Sequence, residues 1–70
     1  MTIPTEGGTV TVLVSPGAIT LVSADPAPGF TAEVDKAGPP EVRVEFTDGD
    51  TEVEVRVRWE DGRVDVEIDD

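Results

Sequence analysis

The chain predicts an all-β fold, a six-stranded antiparallel meander closing into a small barrel or a two-layer sandwich. Three observations carry that expectation. Apolar residues alternate with polar ones along most of the chain, and nowhere recur at the i, i+3, i+4, i+7 spacing of an amphipathic helix. Valine and threonine, which suit a pleated, half-buried surface, are abundant, whereas alanine and leucine are scarce. Clusters of glycine, proline and aspartate interrupt the alternation at short intervals, as turns must.

The elements follow in order. Residues 1–7 read as a flexible lead-in, with Gly7-Gly8 at its end. Gly8–Ser15 is the first predicted strand, with Val10, Val12 and Val14 on one face, and Ala18–Ala24 the second, with Ile19 and Leu21 on that face. Gly29–Lys36 presents Phe30, Ala32 and Val34; Pro40–Thr47 presents Val42, Val44 and Phe46. Thr51–Glu60, the longest, carries Val53, Val55, Val57 and Trp59, and Arg63–Asp69 closes the chain with Val64, Val66 and Ile68. Trp59 reads as a core or core-edge residue. With no helix to cover these apolar faces, the sheet must cover itself, and a curled barrel is the preferred solution.

Turn chemistry supports the strand boundaries. Asp48-Gly49 and Asp61-Gly62 each separate two alternating runs, and Asp-Gly suits the type I′ hairpin, in which both central residues take positive φ. Pro16-Gly17 suits a type II turn. Pro26, Pro28 and Pro39 lie in loops that interrupt the ladder, because proline has no N–H to donate. A two-residue loop at Asp61-Gly62 sets Trp59 opposite Val64, Arg58 opposite Asp65 and Arg56 opposite Glu67. The same loop at Asp48-Gly49 sets Val44 opposite Val53, Arg43 opposite Glu54 and Glu41 opposite Arg56, with Glu45 against Glu52 as the one like-charge pair. Leu13 and Val22 fall on the opposite phase from their neighbours, so the first hairpin is apolar on both faces. It either tucks inward or packs on a loop such as Pro26–Pro28, or else marks an interaction edge.

Composition narrows function. Seventy residues make one domain, residues 1–70, able to bury roughly 60% of its unfolded surface. Cysteine and histidine are absent, which removes thiolate metal sites, the commonest metal ligand and the commonest general base. The net charge of −11, from 5 basic and 16 acidic residues, repels phosphate backbones and anionic lipid. Nucleic-acid binding and membrane-surface binding are therefore not expected; the chain has no apolar run of the roughly 18 residues that membrane insertion needs, and no targeting signal is legible in residues 1–8. Asp48, Asp50 and Glu52 form an acidic run of the kind calcium uses, and are weak metal candidates only. Asp48 is wanted by its turn, and the remaining ligand spacing of a calcium loop is missing. Nearly all the acids sit on exposed strand positions or turns, where no burial raises a pKa, and no histidine or evident lysine base stands near Ser15 or Ser23. No cofactor and no enzymatic activity are expected.

Val22-Ser23-Ala24-Asp25-Pro26-Ala27-Pro28-Gly29-Phe30, followed by Glu33-Val34, Gly38-Pro39 and Glu41-Val42-Arg43-Val44-Glu45-Phe46, resembles small, C-terminal β domains of uncharacterised actinobacterial proteins. Those domains often follow a membrane anchor. The resemblance implies an accessory domain outside the cytoplasmic membrane. It supplies no catalytic or binding residue, and where such domains tend to carry histidine this chain has Asp50–Glu52.

The reading that follows is a non-enzymatic accessory or protein-interaction module. It would present an edge strand or its acidic face to a partner, as a monomer or weak homo-oligomer. The competing reading is an engineered β domain without a natural function, suggested by the clean alternation, the Asp-Gly turns and the high charge.

Overall fold

Period-two sequence makes strand wherever turns allow it, and the computed structural model, which describes residues 1–70, contains strands and no helix. There are seven: β1 (Thr2–Thr5), β2 (Gly8–Ser15), β3 (Ala18–Pro26), β4 (Thr31–Ala37), β5 (Glu41–Thr47), β6 (Glu52–Glu60) and β7 (Arg63–Asp69). They form two antiparallel sheets, one in the order β1-β2-β3 and the other β4-β5-β6-β7. No barrel closes. The expected single six-stranded meander divides at Pro26–Phe30, where the prolines end the β2–β3 ladder. A backbone bond from the Ala27 N–H to the Gly7 carbonyl, 3.0 Å, holds this loop down as the chain crosses to the second sheet.

One core lies between the sheets. Ile3, Val10, Val12 and Ile19 come from the first, and Val42, Val44, Phe46, Val53, Val55 and Val57 from the second, all buried. Each is at the inward phase of its alternation. Trp59, Phe30, Val64 and Leu21 pack around the margin.

The residues expected to be a flexible lead-in are instead β1 and its turn. Thr5 pairs with Gly8, and the N-terminal amine and the carbonyl of Met1 bond to the carbonyl and N–H of Val12, both at 2.9 Å. Four residues containing Pro4 give almost no alternation to detect, yet Ile3 reaches the core. Gly7 and Gly8 are tightly packed: a Cβ on Gly7 would lie 2.7 Å from Phe46 Cβ, and one on Gly8, at φ +148°, 2.5 Å from the Asp25 carbonyl oxygen. Only glycine lets the chain pass so close to Phe46.

The β6–β7 hairpin has the expected register, from Glu60↔Arg63 to Arg56↔Glu67, and its turn has φ of 52° at Asp61 and 80° at Gly62, both positive as type I′ requires. The β5–β6 hairpin differs. Phe46 faces Val53, Val44 faces Val55, Arg43 faces Arg56 and Glu41 faces Arg58, so the strands are displaced by two residues from the expected pairing. The turn tip is Gly49-Asp50 rather than Asp48-Gly49, with the Asp48 N–H donating to the Thr51 carbonyl at 3.2 Å. Asp48 Oδ1 accepts from the N–H groups of Asp50 at 2.9 Å and Thr51 at 2.7 Å. Aspartate next to a turn glycine bonds its own backbone in this way. A displacement of two leaves every side chain on its original face, so the hydrophobic pattern is indifferent to it and the turn decides.

β2 and β3 are joined through Ser15↔Ala18, with a bulge at Val22 that interrupts the ladder between Leu21 and Ser23. Leu13 and Val22 do not tuck inward; both are 63% exposed on the outer surface. β4 bulges at Asp35 and is exposed along its length. Ala32 and Val34 keep the inward phase, opposite Phe46 and Val44, but are exposed.

Candidate interaction surface

The outer face of the four-stranded sheet is built from the polar half of each alternation, and pairing sorts it into rows across the strands. Glu33, Glu45, Glu54 and Asp69 stand in one row, carboxylate facing carboxylate over all four strands. The next row reads Lys36, Arg43, Arg56 and Glu67. Like charges directly opposed are unfavourable, and the cations are neutralised along their strands, diagonally, and directly across to β7. Lys36 reaches Glu41 at 3.1 Å, Arg43 reaches Glu41 at 3.6 Å, and Arg56 reaches both Glu54 and Glu67 at 3.1 Å. Arg58 reaches Glu60 at 3.0 Å and Asp65 at 3.3 Å. The Nε atoms of Arg56 and Arg58 lie within ion-pair distance of Glu54 and Glu60 but are not aligned for hydrogen bonds.

The titrating groups follow from this sorting. The hydrogen bond from Lys36 holds the Glu41 carboxyl below the ordinary carboxylate range, assisted by the charges of Lys36, Arg43 and Arg58. Arg58 is raised, chiefly by the charge of Glu60. At the acidic end, Glu45 is pushed above the ordinary range by the adjacent Glu52, through hydrogen bonding and then charge. Glu45, Glu52, Glu54, Asp69 and Asp70 together line an open acidic concavity.

The three residues of the acidic run part company. Asp48 is committed to its turn, and the backbone N–H groups of Thr51 and Asp50 hold its carboxyl below the ordinary range. Asp50 is at the exposed hairpin tip, and Glu52 joins Glu45 on the outer face. No group of three or more carboxylates has a geometry that would hold a metal ion.

The sheet edges are the second feature. Two sheets leave four edge strands, β1, β3, β4 and β7. Open edges invite pairing with another chain, and three of these are blunted by recognised devices. β1 is four residues long and contains Pro4; β3 bulges at Val22 and ends in Pro26; β4 bulges at Asp35. β7 has neither proline nor bulge, and its ladder with β6 is regular over all seven residues. Since the two-residue turn makes Glu60 and Arg63 a hydrogen-bonded pair, alternation turns the N–H and C=O groups of Val64, Val66 and Ile68 to the free side. On the inner face Val66 is 38% and Ile68 48% exposed, because the first sheet does not extend over them. Sequence reasoning placed both in the core. The signal it lacked was sheet width: three strands cannot roof four.

No protein-family model, no curated protein and no solved structure matches this chain.

Proposed function

We propose that this domain is a non-catalytic protein-interaction module that binds through the β7 edge. The observation that carries the reading is that β7 is a regular edge without proline or bulge, flanked by half-exposed Val66 and Ile68. Main-chain hydrogen bonds to such an edge supply affinity, and alternate side chains supply specificity. Selection of displayed random peptides against the wild type and against Val66→Pro tests it. Proline at 66 removes an outward N–H while sparing the bonds to β6, and proline is tolerated where that N–H faces solvent. Peptides enriched on the wild type and lost on the variant are expected; peptides indifferent to Val66→Pro contradict the proposal.

The engineered-domain reading draws its support from the Asp61-Gly62 hairpin, whose turn and charge pairing coincide. A thermal midpoint above about 90 °C would favour it, since natural domains of this size without disulfides melt well below that.

A further inference from the structure

Resting on the β7-edge reading, we infer that the partner is an extended strand in which lysine or arginine alternates with aliphatic residues, added to the free side of β7. The edge has two faces with different demands. On the inner face Val64, Val66 and Ile68 continue the apolar floor set by Val55, Val57 and Trp59, to which they are paired. A strand laid beside them extends that floor and takes Val66 and Ile68 out of water. On the outer face the alternating positions of the same strand come to rest against Asp65, Glu67 and Asp69. Asp65 and Glu67 are shared with Arg58 and Arg56, but Asp69 has no ion-pair partner and ends the all-carboxylate row Glu33, Glu45, Glu54, Asp69. Asp70 adds to that end of the edge, beside Glu54. A cationic side chain at the outer position beside Asp69 supplies a counterion that this row lacks, and those beside Glu67 and Asp65 meet carboxylates shared with Arg56 and Arg58.

The same charges disfavour a second copy of the chain. Antiparallel self-pairing centred on Val66 matches all three apolar residues and sets Arg63 against Asp69, but it also sets Asp65 against Glu67 twice, next to the centre. Centring on Glu67 sets carboxylates together in every outer-face row, and centring on Asp65 leaves Ile68 opposite Gly62, without an apolar partner. Each copy also carries a net charge of −11. Edge strands that display charge of one sign exclude their own kind and admit the opposite one.

Four short blocked peptides, titrated into the intact 15N-labelled domain, test this: alternating Lys-Val, alternating Thr-Val, alternating Glu-Val, and a block peptide of the Lys-Val composition. The expected result is shift changes at the amides of Val64, Val66 and Ile68 with the Lys-Val peptide. Its affinity should exceed those of the Thr-Val and block peptides by about tenfold or more, fall with salt, and be lost in Val66→Pro. Equal binding of Lys-Val and Thr-Val at β7 overturns the basic-strand inference and leaves the edge reading standing. Equal binding of the block peptide reduces the effect to unspecific charge and overturns the inference. Shifts confined to other strands, or no binding by any alternating peptide, overturn both. A dimer in sedimentation that Val66→Pro dissociates overturns the choice of partner in favour of a second copy.

Discussion

Arg43 stands directly opposite Arg56 across the β5–β6 ladder, and each is neutralised by a glutamate two residues back on its own strand, Glu41 at 3.6 Å and Glu54 at 3.1 Å. Charge complementarity across the strands would have set Arg43 against Glu54 and Glu41 against Arg56. The pairing found gives that up for a hairpin turn capped by Asp48. Exposed ion pairs are each worth little and partners along the same strand replace direct ones, whereas an unmade set of backbone bonds at the turn has no such substitute.

Removing that cap should therefore lower stability. Asp48→Ala is expected to reduce the thermal midpoint, and Asp48→Asn, which keeps an Oδ1 acceptor, to reduce it less. Because the Asp48 carboxyl is held below its ordinary value, its contribution is present at neutral pH and disappears as pH falls through its lowered folded value. The difference in midpoint between wild type and Asp48→Ala should be constant from pH 7 to about 5 and shrink below that; a difference that grows on acidification contradicts the assignment.

Glu45 should behave in the opposite sense. Its pKa is raised by Glu52, so the folded state holds its proton more tightly than the unfolded chain does. Its ionisation disfavours the fold at neutral pH, and protonation relieves this as pH falls through the raised value. Glu45→Gln is expected to raise the midpoint at pH 7, with a gain that fades toward pH 4. Glu52→Gln should do the same, and the two should not add, since either removes the shared repulsion. Midpoints unchanged at pH 7 by both substitutions would count against the contact.

Burial predicts a steep contrast between two inward-facing residues. Phe46 is fully buried between the sheets, and Phe46→Ala should cost about 3–5 kcal/mol. A domain of this size has roughly 4–10 kcal/mol in total, so urea denaturation should find the variant largely or nearly unfolded. Val66→Ala, at a position 38% exposed, should change stability by no more than about 0.5 kcal/mol. Similar losses from both would mean that β7 is covered after all.

Two glycines of similar φ separate strain from crowding. Gly17, at φ +74°, has open space where a Cβ would stand, whereas at Gly38, at φ +81°, a Cβ would collide with the Ile19 carbonyl oxygen. Gly17→Ala should cost only the left-handed backbone penalty, about 1–2 kcal/mol. Gly38→Ala should cost clearly more in the same denaturation experiment; equal costs would show that the β4–β5 turn does not press on β3.

Alternation made β2, β5, β6 and β7 legible from residues alone, because in each an unbroken series of inward apolar residues, mostly valine, alternates with polar ones, Leu13 apart. The Asp61-Gly62 register was legible because turn, charge and hydrophobic phase agree there. At Asp48 they disagree, and the phase, having period two, cannot tell a pairing from one displaced by two residues. β1 escaped notice because Ile3 is its only buried side chain and Pro4 reads as loop. The division into two sheets, and hence the uncovered Val66 and Ile68, was not legible. It depends on how far one sheet overhangs the other, a tertiary quantity with no counterpart in a strand's own sequence. The β7 edge is thus a consequence of architecture that local pattern marks only as core.

Amide hydrogen exchange along β7 tests the central claim, an open and regular edge, most directly. The N–H groups of Asp65 and Glu67 should be protected by their bonds to β6, while those of Val64, Val66 and Ile68 should exchange at close to the rate of free chain. Protection of Val66 equal to that of Glu67 in the monomeric domain would contradict the account, because the edge would then already be occupied.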